Sequence, residues 1–153
     1  MFRVRDKYSM GIIAGLIANT VGTVLNYISY YFGLTKYLPS HIASATFLPK
    51  SKVNCFLGLT IGLFADYGVA IFFGITITYL LYYTGTDYMW LKGISVSLLY
   101  WLLLFGMGLQ FGLSKINPSQ LNTNLIFLIH HILLGIIVVW VISKYDLSIL
   151  DEY

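Results

Sequence analysis

Apolar residues run almost unbroken through four stretches of this chain, about residues 9–32, 56–83, 93–113 and 122–143, and none of them contains Lys or Arg. Each reaches the roughly 20 residues a helix needs to cross hydrocarbon, where a backbone must satisfy its own hydrogen bonds. The pattern predicts an all-α polytopic membrane protein, a four-transmembrane-helix bundle forming a single membrane domain over residues 1–153. A β-barrel would alternate apolar and polar positions in segments of about ten residues. Nothing in the chain alternates that way.

The connection between the first two runs breaks the pattern. Pro39 and Pro49 bracket SHIASATFL, which is too short to span and too apolar for a free loop. It predicts a short interfacial helix over about residues 39–49, capped by Ser40 and ended by Pro49. A connector lying on the surface is the expected form, and a segment folded in as a lid over a cavity is the other.

Small residues recur inside the runs at helical spacing. Gly58, Gly62, Asp66, Ala70 and Gly74 form a ladder of steps of four in the second run. Gly11, Gly15, Ala18, Gly22 and Asn26 make a similar stripe in the first, with Asn19 beside it. Gly108 and Gly112 repeat the step in the third, and Gly135 follows His131 by one turn in the fourth. Such faces let helices approach closely, within one chain or between copies, so they predict tight packing and self-association as a homo-oligomer or with another membrane protein.

Composition sharpens the picture. The chain is 58% hydrophobic and only 10% charged, against roughly 45–50% and 25% for soluble domains. The start, MFRVRDKYS, has the positive flank of a signal sequence. The run after it is about twice the length of a secretory apolar core, so it reads as a retained first helix. With four crossings, Arg3, Arg5, Lys7, Lys92 and Lys144 share one side, and Lys36, Lys50, Lys52 and Lys115 the other. The cluster at the start tips the balance toward cytoplasmic termini. Tyr27, Tyr30, Tyr31, Tyr37, Tyr79, Tyr82, Tyr83, Tyr88, Trp90, Trp140 and Tyr145 lie near the span ends as interfacial belts facing the lipid bilayer. A net charge of +3 spread over both sides makes no basic patch, so no nucleic-acid partner is expected. The lone Cys55 permits no intramolecular disulfide and reads as a small filler.

Polar residues inside the spans carry the candidate chemistry. Asp66 sits in mid-span, where an uncompensated carboxylate costs at least about 2.5–3.5 kcal/mol. It should therefore face protein and find a partner. If the helices alternate in direction, Asp66, His130 and His131 lie within about one turn of the same level, and Asn26 and Gln110 fall in the same half of the membrane. Asn124, Phe127 or Leu128, His131 and Gly135 share one stripe, which makes His131 the expected partner of Asp66, while His130 points elsewhere. The resulting layer of Asp66, His131, His130, Asn26, Gln110 and Asn19 supports two functional readings. In the first it fixes the fold of a non-enzymatic scaffold or accessory protein. In the second it is the working site of an oligomeric channel or proton-coupled transporter using Asp66 and His131.

Other chemistries have less support. Asp66, His131 and a folded-in His41 are residue types that bind zinc or iron, but their spacing is no metal motif, and no metal or other cofactor is expected. Ser95, Ser97 and Thr60 are hydroxyls with no motif linking them to a base, and an intramembrane aspartyl protease would need a second aspartate in its spans, so no enzyme is expected.

The segments GIIAGLIANTVGTVLNYISYYFGL, GLTIGLFADYGVAIFFGITITYLL, LKGISVSLLYWLLLFGMG and HHILLGIIVVWVIS, with their glycine placement and the Lys92-Gly93 entry to the third run, give the chain a resemblance. It resembles small four-helix integral membrane proteins of Gram-positive bacteria. The resemblance implies a multi-pass protein of a bacterial plasma membrane and carries no activity or site residues with it.

Overall fold

The computed structural model describes residues 6–144, and Arg3, Arg5 and Tyr145 of the charge and belt assignments lie outside them. Among the described residues the chain is helical with no strand: α1 (Lys7–Tyr31), α2 (Pro39–Phe47), α3 (Phe56–Thr84), α4 (Met89–Trp101) and α5 (Leu121–Lys144). A π-helical stretch, Leu102–Gly108, prolongs α4 and completes the third span. Four helices, α1, α3, α5 and α4 with its π extension, are long and apolar enough to cross a membrane. Large apolar side chains such as Phe64, Phe72, Leu99 and Leu125 face outward. In lipid these positions need no protein partner.

The ends of the helices follow from local chemistry. Asp6 caps α1, its carboxylate accepting the Ser9 N–H at 2.7 Å, and that hydrogen bond holds Asp6 below the usual carboxylate pKa. Gly33 closes α1 at φ +69°, with Gly33 and Leu34 N–H groups returning to the carbonyls of Tyr30 and Ser29. Lys92 reaches back from α4 to the carbonyls of Thr84 and Gly85 at 3.0 and 2.7 Å, satisfying the C-terminal end of α3. Cys55 is not a filler. It is exposed, and its Sγ accepts the Gly58 N–H at the start of α3.

Neighbouring spans run antiparallel. Along α1, Gly11, Gly15 and Asn19 meet Ile75, Ala70 and Asp66 of α3 in reverse order. Gly22 and Asn26 then meet Leu134 and His130 of α5. Gly93 and Phe105 of the third span meet Gly135 and Phe127 of α5. A Cβ on Gly74 would strike the Gly11 carbonyl and backbone of Gly15, and one on Gly135 would strike the Gly93 carbonyl. These crossings lie at one end of the bundle, over a core of Met10, Ala14, Phe73, Ile77, Leu81, Val138 and Val139. The same end carries Lys7, whose ammonium lies 3.5 Å from the Tyr82 ring centroid.

The opposite end is built differently. Here the ladder on α3 turns to new partners: a Cβ on Gly62 would meet the Ser40 carbonyl of α2, and one on Gly58 the carbonyls of Lys52 and Val53. So α2 is not a surface connector. Its Ser40, His41, Ile42, Ser44 and Ala45 are buried, and it packs on α3. Ser40 does not cap it either. The His41 ring does, its Nδ1 accepting the Leu38 N–H at 3.2 Å, and burial pushes the His41 pKa below the ordinary histidine value.

The third span departs most from expectation. It begins at Met89, about a turn early, and its π stretch winds more residues into each turn than an α-helix does. Gly112, expected on a packing face with Gly108, lies beyond the helix at φ +73° with open space around it. Its N–H returns to the Leu109 carbonyl and that of Leu113 to the Gly108 carbonyl, a glycine C-cap. The atoms nearest to a Cβ on Gly108 belong to Leu113 and Leu103 of its own segment.

Candidate functional site

Where α3 and the third span part company, the bundle forms a partly open cavity of about 470 Å³. At the glycine-packed end the two are held together, with Tyr100 against the Phe73 ring at 5.1 Å and its hydroxyl 2.9 Å from Thr76 Oγ1. Beyond Tyr100 the π stretch carries Leu104 and Phe105 into the cavity wall. Helix α2 closes the region from the end of the bundle with Pro39, Ile42, Ala43, Thr46 and Phe47.

The polar residues cluster on one wall. Asp66 Oδ2 accepts a hydrogen bond from Asn19 Nδ2 at 3.1 Å, pairing α3 with α1. Two turns further along α1, Asn26 Oδ1 lies 2.6 Å from His130 Nδ1, pairing α1 with α5. The carboxamide oxygen only accepts, so His130 Nδ1 is the donor and Nε2 is the acceptor of the neutral ring. His131 makes the same choice of tautomer, with Nδ1 2.8 Å from its own Phe127 carbonyl and the ring edge-on to Phe105 at 5.2 Å between centroids. All five side chains, Asn19, Asn26, Asp66, His130 and His131, line the cavity. Among the described residues its wall contains no Lys or Arg.

These placements revise the expected pairing. Asp66 bonds to Asn19 and not to His131, and His130 is the histidine that bridges helices. The helical stripe identified which residues share a face of α5. Both histidines border the cavity because it is wide enough to reach past that stripe. Gln110 is exposed and takes no part in the wall. Depth along a helix sets the level of a side chain and leaves its direction open, and the π stretch before Gln110 alters that direction. His41 lies outside the cavity wall, stacked edge-on against Tyr30 at 5.8 Å. Asp66, His131 and His41 therefore do not converge, and among the described residues no three His, Cys, Asp or Glu side chains gather at one point.

The hydroxyls of Thr60, Ser95 and Ser97 turn back to carbonyls of their own helices, those of Phe56, Leu91 and Ile94. None of the three borders the cavity. A second, small void, about 10 Å³, touches Asp66 from another side and is lined by Thr23, Asn26, Leu63 and Ser40 among others. Thr23 Oγ1 is buried there without a hydrogen-bond partner. Thr23 was not among the expected site residues, although it stands between Asn19 and Asn26 on α1 in steps of four and three.

The remaining wall of the main cavity is apolar and aromatic. Its rings are Phe47, Phe72, Phe73, Tyr100, Phe105 and Phe127. The volume falls within the roughly 300–1,000 Å³ of small-molecule sites, which combine an apolar lining with a few placed polar groups. Chemically the arrangement offers a carboxylate with a single amide donor and imidazole rings whose Nδ1 protons are committed, beside the amide and hydroxyl groups of Asn26, Thr46, Tyr100 and Ser114. Comparison of the chain with family models, curated proteins and solved structures finds no match in any of the three.

Proposed function

We propose that this protein is a small membrane carrier that binds a solute in the central cavity and couples its passage to a proton held at Asp66. The observation that carries the reading is the cavity itself. A polar cluster that served only to fix helix register needs its groups packed against one another and no solute-sized space beside them. Here Asp66 and both intramembrane histidines border about 470 Å³ of space. A space of that size beside a carboxylate has no use in a scaffold and is necessary for a binding site.

The arrangement supports a division of labour. Asn19 orients the Asp66 carboxylate through its amide, which leaves lone pairs on Asp66 for a proton or for a charged group of the solute. Asn26 holds His130 and the Phe127 carbonyl holds His131, so both rings are positioned before any solute arrives. The test is proton flux into liposomes containing the purified protein across a pH gradient. Flux that is present in the wild type and lost in Asp66→Asn supports the carrier. Equal flux in both, or none from folded wild-type protein, refutes proton coupling at Asp66.

A further inference from the structure

We propose that the solute is an amphipathic organic cation drawn from the bilayer, an ammonium or comparable group on an apolar, ring-sized body, bound with its charge at Asp66. The proposal rests on the reading of the cavity as a solute site and adds the class of solute.

The sign of the charge follows from the wall. Asp66 is the acidic group bordering the cavity, and among the described residues no Lys or Arg stands there to neutralise it. His130 and His131 have committed their Nδ1 protons to Asn26 and Phe127, so their Nε2 atoms add acceptors to a wall whose other polar groups, the amides of Asn19 and Asn26 and the hydroxyls of Thr46, Tyr100 and Ser114, are uncharged. An anion would meet a carboxylate and imidazole lone pairs in a low-dielectric space. A cation meets an opposite charge there, and rings besides: Phe72, Phe73, Tyr100, Phe105 and Phe127 present aromatic surface to the same volume. Aromatic rings attract a desolvated cation through the negative charge of their faces.

The apolar body follows from the opening. Phe47, Val69, Phe72 and Leu113 border the cavity and are also exposed on the outside of the bundle, Phe72 by 67% and Phe47 by 65%. Val69 and Phe72 lie near the midpoint of α3, so this side of the cavity opens toward acyl chains and not toward water. A small inorganic ion or a sugar has no stable population at that depth. An amphipathic cation concentrates in the bilayer and reaches the opening directly.

Gly68 provides a variant that separates binding from folding. It borders the cavity, and a Cβ added there meets nothing within 4 Å. Gly68→Leu therefore fills the mouth without a backbone clash and improves the helix propensity of α3.

The experiment titrates tetraphenylphosphonium and tetraphenylborate, ions of one shape and opposite charge, into the purified protein in lipid nanodiscs, with proton flux measured on the same preparations. The expected result is saturable binding of the cation and none of the anion, with cation affinity reduced at least about tenfold in Asp66→Asn. Asp66→Glu should keep most of the binding, and Gly68→Leu should lose it with its melting temperature unchanged or raised. Equal binding of the two ions, or cation binding untouched by Asp66→Asn and Gly68→Leu, overturns the assignment. Asp66-dependent proton flux without cation binding also overturns it and leaves the carrier standing. Cation binding without flux supports the assignment and refutes proton coupling.

Discussion

At the scale of single residues, the contact with most consequence is the 3.1 Å hydrogen bond from Asn19 to Asp66. A carboxylate in a membrane interior that loses its donor bears the desolvation cost alone. Asn19→Leu should cost about 1–3 kcal/mol of stability, read as the midpoint shift of unfolding in detergent. The double variant Asn19→Leu with Asp66→Leu should recover part of that loss, since an apolar pair leaves nothing unsatisfied; no recovery would show that the bond contributes little. Thr23 gives the opposite case. Its buried hydroxyl has no partner, so Thr23→Val should be neutral or stabilising in unfolding measurements. His41 sets a pH dependence. Burial holds its folded-state pKa below the ordinary histidine value, so the unfolded chain takes up a proton more readily. The stability it contributes is complete above the ordinary pKa and is lost as pH falls through the lower folded value. Protonation also removes the lone pair that accepts the Leu38 N–H, so the protection of α2 amides relative to their intrinsic exchange rate should fall from pH 8 to pH 5 in the wild type. His41→Ala should show a flat profile over the same range, and an equally steep one would place the sensitivity elsewhere.

At the scale of helices, α3 shows how much of the fold a sequence pattern carries and where it stops. The ladder from Gly58 to Gly74 announced one close-packed face, and in the structure that face serves three partners in turn: residues 52–53, α2, and α1. Spacing revealed the face because side-chain direction in a helix is periodic. It could not divide the face among partners, because that depends on where the other chains run. Gly74→Ala, which drives a methyl into the Gly11 carbonyl, should destabilise by about 1–3 kcal/mol, whereas Gly68→Leu on the open side should not. The limits of legibility lie in the third span. Its length and apolarity were plain, but a π stretch has no apolar period of its own, so the positions after it were assigned to the wrong faces. Removing Gly106 would bring Leu102–Gly108 back toward α-helical winding. The variant should keep its helical circular dichroism and lose proton flux, because Leu104 and Phe105 no longer reach the cavity together. Retained flux would show that the π stretch is incidental to the site.

For the molecule as a whole, the four spans were legible because hydrocarbon thickness imposes a minimum length on any helix that crosses it. Both ends of α2 were marked by prolines, but its burial was not, since nine residues of mixed character give no sign of what they will cover. The cavity was the least legible feature. A void is a property of how elements fail to meet, and here α3 and the third span meet at Tyr100 and separate beyond it. The bundle thus has one half closed by glycine contacts and one half left open. Rearrangement that admits or releases a solute should be confined to the open half, with Gly11, Gly74, Gly93 and Gly135 acting as the fixed end.

The outward-facing mouth at Phe47, Val69, Phe72 and Leu113 has a consequence for what the cavity holds between solutes. An apolar chamber that opens into a bilayer is wetted by lipid, and an acyl chain is the most abundant guest within reach. Every solute then binds by displacement, and its apparent affinity is the intrinsic one scaled by the share of chambers that lipid leaves vacant. Membrane composition becomes a competitor in its own right. Bilayers whose chains enter the chamber easily weaken the solute, and stiffer or shorter chains strengthen it, with no change in any residue of the protein.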